Sequence, residues 1–418
     1  MKNILLFSIF ASLFLSSCIK DKCSETRTLY EYTPIFVKKE EFRNTPVQNA
    51  STRTLQQPGK IYFYNNFIFI NELRKGIHVI DNSNPSQPNP VTFIEIPGNV
   101  DMAVSNGILY ADSYTDLLSI SITNPGQIQV LNRQLDVFPL LGEGTDGTLA
   151  YYEKSDNVMQ IDCSDPDFGN PFFNRGGGIW ASELAFDSNA SGSGSGPAGI
   201  GGSMARFTIS KGHLFCIDQM TLNSFALQTS GVLGSPVVTQ VGWGIETIFP
   251  YKDNLFIGAS NGMHILDISN PGSPVYKTAF THANACDPVV VHNDIAYVTL
   301  RDGTECDGFV NQLEVVDVKN VNAPSLIKTY KMDHPHGLSI FEDKLYLCEG
   351  KHGLKIFDIK DNTKIDRNLI SHEKGFDAYD AVLIPGVSLL IIGKDGFRQY
   401  DYSNSKDLKL LSHIAVQK

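Results

Sequence analysis

The sequence lacks several features that would identify a function directly. Beyond its first residues it has no apolar run of about 18 residues, so no transmembrane helix is predicted. None of its 7 cysteines forms a CxxC pair, which disfavours a structural zinc site or a thioredoxin-like site. It has 34 basic and 45 acidic side chains, so a nucleic-acid partner is not expected. No stretch shows a 3.6-residue apolar period, and an all-β chain is therefore predicted.

The N-terminus has the pattern of a secretory signal. Lys2 is followed by an apolar run at residues 4–15, which is too short to span a bilayer, and then by Ser16, Ser17 and Cys18. This end resembles a bacterial lipobox, whose cysteine receives a diacylglycerol thioether and becomes the first residue of the mature protein.

The lipobox resemblance implies a membrane anchor. Residues 1–17 would be a signal peptide, Cys18 would be lipidated, and residues 18–28 would be a tether. Ile19, rather than an aspartate, follows the cysteine, which favours an outer-membrane lipoprotein that faces the periplasm or is exposed at the cell surface. An ordinary signal peptide with an incidental cysteine is the alternative.

One segment, residues 253–280, contains a unit that the rest of the chain repeats. Two apolar runs face each other across Asn261 and Gly262, and Asn-Gly is a strong hairpin signal because both residues accept a positive φ. Eight copies recur with a period near 41 residues, and they end at Asp81, Ser121, Asp162, Ala226, Asp267, Asp317, Asp358 and Asp401. Such a period, built of strands and turns, is typical of a β-propeller. We predict eight blades of four antiparallel strands each, with seven blades as the alternative.

Residues 29–418 are predicted to form a single propeller domain. The larger of two gaps in the repeat, residues 167–203, is rich in Gly and Ser and is expected to be a flexible insertion. Residues 30–38 predict a strand that could lie near residues 408–416 and close the ring, which would remove free sheet edges.

Four strand and turn segments resemble a named repeat. They are GIHVIDNSNP at residues 76–85, GMHILDISNP at 262–271, LEVVDVKNVNAP at 313–324 and GLKIFDIKD at 353–361. These look like LVIVD repeats, which are found in bacterial and archaeal cell-surface proteins and are regarded as forming β-propellers. Together with residues 285–306 and 201–209, the pattern is similar to LVIVD lipoproteins of Bacteroidota. The resemblance implies a propeller fold and no established activity.

Ionisable residues recur where the innermost strand of each repeat should begin. The candidates for a ligand site at the channel mouth are Asp101, Glu246, Asp287, His336 and Asp380. Converging carboxylates and a histidine could bind Ca²⁺ or a polar ligand. The alternative is that aspartates occur at strand starts because their side chains cap the turn backbone.

A second set of aspartates repeats once per copy before turn residues. It comprises Asp81, Asp162, Asp267, Asp317, Asp358 and Asp401. A catalytic residue would not need six copies, whereas a turn does, so these aspartates are interpreted as structural.

Six cysteines besides Cys18 could form disulfides outside the cytoplasm. Cys286 and Cys306 lie on either side of one predicted hairpin, with strands at residues 289–292 and 295–300, and are candidates for a bridge. The pairing of the remaining cysteines, Cys23, Cys163, Cys216 and Cys348, stays open.

Three function classes are compatible with these features. The first is a ligand-binding or protein-interaction module held at the membrane by its lipid, with an envelope protein or a small ligand as partner. The second is a metal-assisted hydrolase that uses Asp287, Glu246, His336 and Asp380 around a divalent cation. The third is a structural envelope component. No catalytic residue is assigned, because no nucleophile with an adjacent base is recognisable, and Ca²⁺ is the one cofactor that the pattern suggests.

Overall fold

The structure of the protein is a computed structural model, which describes residues 26–138, 143–144, 147–168, 170, 172–176, 178–181, 199–281, 288–301 and 311–417. The chain divides into two compact units. The small unit contains Met1–Thr33 and Lys154–Glu183, and the large unit contains Pro34–Glu153 and Leu184–Lys418. The assignment of residues 29–418 to one domain stays a prediction.

The described chain begins with strand β1 (Thr26–Val37), helix α1 (Lys39–Asn44) and strand β2 (Gln48–Ala50). The predicted strand at residues 30–38 is therefore present. Among the described residues, no helix has the length and apolar character that crossing a bilayer would require.

Most of the other strands form blades of four consecutive antiparallel strands. Blade 1 comprises β3 (Pro58–Tyr64), β4 (Phe67–Glu72), β5 (Gly76–Asp81) and β6 (Asn89–Glu95), and blade 2 comprises β7 (Met102–Ser105), β8 (Ile108–Ser113), β9 (Asp116–Ser121) and β10 (Gln129–Gln134). Five strands lie between blades 2 and 3 in the sequence: β11 (Glu143–Gly144), β12 (Gly147–Asp162), β13 (Phe172–Arg175), β14 (Gly178–Ala181) and β15 (Ile200–Gly201).

The second half of the chain forms five blades without interruption. Blade 3 comprises β16 (Phe207–Ser210), β17 (His213–Ile217), β18 (Thr221–Ala226) and β19 (Val237–Gln240). Blade 4 comprises β20 (Ile245–Tyr251), β21 (Asn254–Ala259), β22 (Gly262–Asp267) and β23 (Val275–Thr281), and blade 5 comprises β24 (Val289–His292), β25 (Ile295–Leu300), β26 (Gln312–Asp317) and β27 (Ser325–Lys331). Blade 6 comprises β28 (Leu338–Phe341), β29 (Lys344–Cys348), β30 (Leu354–Asp358) and β31 (Leu369–Glu373). Blade 7 comprises β32 (Asp380–Ile384), β33 (Ser388–Gly393), β34 (Gly396–Asp401) and β35 (Lys409–Ala415). A 3₁₀ turn (Ile365–Arg367) precedes β31.

The all-β prediction and the propeller fold are confirmed, and the described residues form eight sheets. Only seven of these sheets contain a blade, so the count of eight blades is corrected to the seven of the alternative. The predicted third copy lies in β12, a single 16-residue strand whose neighbours are β11 and β1. No residue from 148 to 162 has a positive φ, so the tight hairpin turn that a blade needs does not form there.

The large unit closes into a ring through apolar side chains between successive blades. Blades 1 to 3 share one buried cluster, and further clusters join blades 3 and 4, blades 4 to 6, and blades 6 and 7. A last cluster, with Ile68 and Val382, joins blade 7 to blade 1. Both sides of the sheets are buried in this way, which explains why strands such as β33 are apolar at consecutive positions.

The ring closes differently from the prediction. Within residues 26–417, as far as they are described, no strand of one terminus enters a blade of the other, because blades 1 and 7 each contain four consecutive strands. Instead Leu55 pairs with Val416 in a parallel bridge and is buried in the cluster between blades 7 and 1. Strand β1 pairs with β14, where Tyr30 lies opposite Ala181. The predicted role of residues 30–38 in closing the ring is therefore wrong.

Turn chemistry accounts for the hairpins. Asn65 and Asn66 connect β3 to β4 with φ of 46° and 63°, and Asn293 and Asp294 connect β24 to β25 with φ of 50° and 63°. Asparagine and aspartate tolerate this left-handed conformation, which a two-residue hairpin needs. The hairpin predicted at Asn261 is also present, between β21 and β22.

The repeated aspartates are turn residues, as predicted. Oδ1 of each accepts a hydrogen bond from the backbone N–H two residues later, at distances of 2.8 to 2.9 Å. These bonds hold the turns that follow β5, β12, β22, β26, β30 and β34.

In the small unit, β14 pairs with both β1 and β13. Its apolar core contains Leu29, Ile161 and Phe173, with Trp180 packed against them. The Arg175 guanidinium holds the pKa of Asp165 down at about 2 through a hydrogen bond.

Candidate functional site

The centre of the ring contains a segment of the chain itself. Residues 199–206, called the channel segment below, lead into the first strand of blade 3. Ile200 and Gly201 pair with Phe63 and Tyr62 of blade 1, as an additional strand inside its innermost strand β3. Residues 201–205 are all buried.

The channel segment also bonds to four other blades. Gly199 N donates to Val104 O of blade 2 at 2.8 Å, and Ile248 N of blade 4 donates to Ala205 O at 2.9 Å. Leu338 N of blade 6 donates to the Ser203 hydroxyl at 2.7 Å. That hydroxyl in turn donates to Asp380 of blade 7 at 3.3 Å. The segment thus connects the innermost strands of five of the seven blades.

Glycine is required at two points of close approach. A Cβ atom at Gly199 would lie 2.3 Å from the Tyr62 ring, and one at Gly202 would lie 1.8 Å from Asp380 Oδ2. Both distances are far below a normal van der Waals contact. The Gly-rich composition of this region therefore fits the narrow channel as well as a loop.

Asp101, one of the five predicted site residues, is bound within the protein. Its Oδ2 accepts hydrogen bonds from Lys60 Nζ at 2.9 Å and from Arg206 N at 2.7 Å, and its Oδ1 accepts one from Met102 N at 2.7 Å. Burial lowers the pKa of Lys60, and the Asp101 carboxylate opposes this effect. Both side chains are almost fully buried.

Asp112 completes this buried ionic network. Its Oδ2 accepts from Arg206 Nη2 at 2.6 Å, and its Oδ1 accepts from the backbone N–H groups of Val100 and Asp101 at 2.7 and 2.9 Å. Burial raises the pKa of Asp112, and the Arg206 charge opposes the rise. The network fixes the start of β7 against the channel segment.

Asp380 lies in a different environment, with few partners. Its Oδ1 accepts from Ala381 N at 3.0 Å and from Ser203, whereas its Oδ2 has no hydrogen-bond partner among the described residues. Burial raises the pKa of Asp380 to about 7, because the ionised form is poorly solvated there. The Asp380 carboxyl group would therefore change its charge near neutral pH.

His336 belongs to a separate cluster on blades 5 to 7. Arg301 contacts its ring, His334 Nδ1 lies 3.0 Å from its Nε2, and the Tyr379 ring centroid is 5.1 Å away. Burial lowers the pKa of His336 well below its usual value, and the charges of Arg301 and Lys394 lower it further. The imidazole is therefore neutral at pH 7, beside two fixed positive charges.

The predicted ring of metal ligands is only partly assembled. Asp101 and Asp380 both face the channel segment, and His336 contacts Arg301 instead. Glu246 is half-buried at the start of blade 4 and has a partner, and Asp287 lies outside the described residues. Within the described ranges, no three His, Cys, Asp or Glu side chains converge as metal ligands would. Asp101 does not fit a calcium site, because Lys60 and backbone N–H groups already bind its oxygens.

Three buried carboxylates with a structural role were missed at the level of sequence. Glu72, Asp112 and Glu349 each lie at or next to the end of the second strand of a blade. Each carboxylate accepts hydrogen bonds from backbone N–H groups of the residues that precede the innermost strand of the same blade. Glu349 Oε2, for example, accepts from His334 N at 2.6 Å. A carboxylate at the end of the second apolar run of a repeat, as in IFINE, LYADS and LYLCEG, was the available signal.

The three cysteines in the described part of the chain are in two chemical states. Cys163 takes part in a disulfide, whereas Cys216 and Cys348 are free and buried. Burial raises the pKa of both free thiols well above the usual value, so they remain protonated and unreactive. The predicted bridge between Cys286 and Cys306 lies outside the described residues.

Comparison with known proteins supports the repeat and the fold. The LVIVD repeat matches residues 59–93 and 251–281, which correspond to parts of blades 1 and 4. The prediction of LVIVD repeats is confirmed at these two places. No curated protein matches the sequence.

Several solved structures are similar over most of the chain. A functionally unknown protein from Desulfotomaculum acetoxidans has a TM-score of 0.52 at 11% identity, and the match covers 84% of this chain and 96% of that one. The periplasmic gluconolactonase of Pseudomonas aeruginosa, a propeller-type protein, has a TM-score of 0.52 at 10% identity, covering 86% and 96%. The computationally designed protein Ika8 has a TM-score of 0.50 at 10% identity, covering 88% and 92%. At these identities the similarity shows the fold alone.

Proposed function

We propose that this protein is a cell-envelope lipoprotein whose seven-bladed propeller is a protein-interaction module. The observation that carries the proposal is the channel segment. The centre of a propeller is a common site for small ligands, and here residues 199–206 bind the polar groups that a ligand would use. The surfaces left for recognition are the faces and edges of the blades, which suit a macromolecular partner better than a small molecule.

The proposed location rests on two independent features. The lipobox-like N-terminus implies a lipid at Cys18 and export from the cytoplasm. The disulfide of Cys163 is of a kind that persists in the periplasm or outside the cell and is rare in the cytoplasm. The LVIVD repeats agree with this, since the resemblance is to cell-surface proteins.

A metal-assisted hydrolase is less well supported. Arg301 and Lys394 place positive charge beside His336, which would repel a divalent cation. Asp101 is already bound within the protein. The lactonase activity named for the Pseudomonas protein is not carried over, because a likeness at 10% identity is one of fold alone.

Cell fractionation tests the anchor. The full chain is expected in the membrane fraction and should be released by detergent but not by high salt. Cys18→Ser should lose membrane association, because the lipid is the sole anchor proposed. A Cys18→Ser protein that stays in the membrane fraction would refute the lipid-only anchor, and Cys348→Ser serves as a matched control that should remain membrane-bound.

Thermal unfolding in the presence of added cations tests the hydrolase alternative. The full chain, stripped of metal, is titrated with Ca²⁺, Mg²⁺ and Zn²⁺, and the melting temperature is measured, since a ligand that binds only the native state raises it. No shift with any ion is expected. A saturable rise that Asp380→Asn removes would instead favour a metal site in the channel and count against the proposed interaction module.

A further inference from the structure

The outer edges of the seven blades are not protected equally. In the described part of the chain, no strand pairs with the outer edge of the fourth strand in blades 2 to 7. Most of these strands carry the charged side chains that prevent edges from pairing with other chains: Arg133 in β10, Lys277 in β23, Lys328 and Lys331 in β27, Glu373 in β31 and Lys409 in β35. Strand β19 of blade 3, Val237–Gln240, carries none.

The absence of charge extends well beyond β19. Residues 219–245 contain no Asp, Glu, Lys, Arg or His, although 19% of the whole chain is charged. This stretch comprises the third and fourth strands of blade 3 with their connections, and it ends at the start of blade 4. The third and fourth strands of blade 3 are therefore formally neutral in a protein with a net charge of −11.

Large apolar side chains are exposed on this same stretch. They are Met220 (45% exposed), Val232 (47%), Val237 (41%), Val238 (54%) and Trp243 (64%). Scattered single apolar residues are normal on a protein surface. Here five exposed large apolar side chains lie within 24 residues of sequence, in the same stretch that carries no charge.

Trp243 is held in its exposed position by a fixed backbone. Gly242 N donates to Met220 O at 3.3 Å, and Gly244 N donates to Gln219 O at 2.9 Å. Ser260 N of blade 4 donates to Gly244 O at 2.8 Å. Backbone hydrogen bonds on both sides of Trp243 therefore fix the loop that exposes the indole. A rigid aromatic side chain loses little conformational entropy when a partner covers it.

The chain itself shows how such an edge is covered. In blade 1 the outer edge of β6 pairs with β2, where Asn49 lies opposite Ile94. An extended strand has therefore been added to the fourth strand of one blade. The corresponding edge of blade 3 is likewise the outer edge of a fourth antiparallel strand, and it lacks the added strand in the described chain.

We propose that β19 is a self-association edge, at which two copies of this chain pair their β19 strands antiparallel across a twofold axis. Val237, Val238 and Trp243 would lie in or beside the contact. Antiparallel pairing of identical strands is self-complementary, as a twofold interface requires. Two copies with a net charge of −11 each repel one another, so they meet most favourably where the surface carries no charge. This inference is independent of the proposed membrane anchor.

Light scattering coupled to size exclusion tests the proposal on the full chain in mild detergent, with the micelle mass subtracted. The wild-type protein is expected to be a dimer at about 100 μM, a concentration at which even a micromolar Kd gives nearly full occupancy. Val238→Lys places a charge on the edge and should weaken association at least about tenfold, so that this variant dimerises only at a correspondingly higher concentration than the wild type does. Leu326→Lys, on the outer strand of blade 5 where Leu326 is 48% exposed, should leave the dimer intact.

Two results would overturn the assignment. One is a wild-type protein that is monomeric throughout the concentration range, and the other is a Val238→Lys protein that dimerises as well as Leu326→Lys. Thermal melts of both variants establish that each is folded, since both residues lie on the surface. Repeating the measurement with Cys18→Ser separates pairing of the edges from clustering of lipid anchors, because the β19 dimer should persist without the lipid.

Discussion

Ser203 and Asp380 are 177 residues apart in the sequence, and the Ser203 hydroxyl donates a hydrogen bond to the Asp380 carboxylate at 3.3 Å in the centre of the ring. The same hydroxyl accepts from Leu338 N at 2.7 Å. Ser203→Ala would remove both bonds and leave a buried N–H unpaired. We expect the free energy of unfolding to fall by about 2 kcal/mol, measured by urea titration.

Ser273→Ala is the matched control for Ser203→Ala. Ser273 is exposed in the turn before β23, and its backbone rather than its side chain bonds to Asn270 O. Its substitution should change the stability by less than about 0.5 kcal/mol. Equal effects of the two substitutions would show that the hydrogen bonds of the Ser203 hydroxyl contribute nothing to stability.

Asp380 should make the stability of the protein depend on pH. Burial raises its pKa in the folded protein to about 7, above the ordinary value of about 3.9 that it takes in the unfolded chain. Between these values the folded state binds more protons than the unfolded state, so stability falls as pH rises from about 4 to about 7 and is constant above. The difference amounts to as much as about 4 kcal/mol.

Asp380→Asn mimics the protonated form at every pH and should remove this contribution. The test is the difference in unfolding free energy between pH 5 and pH 8, for the wild type and the variant. We expect the variant to lose less stability than the wild type over this interval. Asp407→Asn, on an exposed turn, is the control and should behave as the wild type does. An unchanged pH profile for Asp380→Asn would contradict the raised pKa.

Gly202→Ala tests how tightly the channel is filled. The added methyl group would lie 1.8 Å from Asp380 Oδ2, in a channel where both partners are buried. We expect a loss of about 2 to 3 kcal/mol or more in denaturant titration, because the segment or blade 7 would have to shift. Gly234→Ala places its methyl in open space and should be neutral or slightly stabilising. If both variants are as stable as the wild type, the close approach is absent.

Helix α1 is attached to blade 2 through Asp116. This buried carboxylate accepts from Arg43 Nε and Nη2 at 2.9 and 2.7 Å and from Arg133 Nη1 at 3.1 Å. Burial alone would raise the pKa of Asp116, but hydrogen bonds, the one from Arg43 foremost, outweigh it and lower the pKa. Its contribution to stability is therefore present at neutral pH and lost as pH falls below the ordinary carboxyl range.

Asp116→Asn should cost about 2 to 3 kcal/mol in unfolding free energy at pH 7 and much less at pH 3. Proteolytic cleavage near α1 should also become faster, because the helix loses the ion pair between Arg43 and Asp116 that holds it to blade 2. Asp366→Asn is the control, because the Lys328 Nζ to Asp366 Oδ1 distance is 3.9 Å and both side chains are largely exposed. A destabilisation that is equal at pH 7 and pH 3 would contradict the role of the Asp116 charge.

Local sequence signals predicted the blades well. The strands predicted at residues 289–292 and 295–300 have the bounds of β24 and β25. Apolar β-branched runs on either side of a turn pair need no distant contact to be recognised. The same reasoning failed for residues 149–162, whose polar centre at residues 155–157 imitates a turn within the continuous strand β12.

The contents of the channel could not be predicted from local signals. Asp101, His336 and Asp380 were correctly placed beside the starts of innermost strands, and all three are buried. What they bind depends on contacts between distant parts of the chain, such as Arg206 N with Asp101 Oδ2 across 105 residues. Residues 201–209 belong to the motif that resembles LVIVD lipoproteins, but their glycines are compatible with both a flexible loop and a tightly packed segment.

The position of the channel segment in the sequence constrains the order of folding. Blades 1 and 2 precede it and the other five blades follow it. During synthesis these five blades emerge after the segment and have to assemble around it, since native connections rarely thread through a closed ring. The channel segment therefore has to lie in place before blade 7 packs against blade 1 and closes the ring.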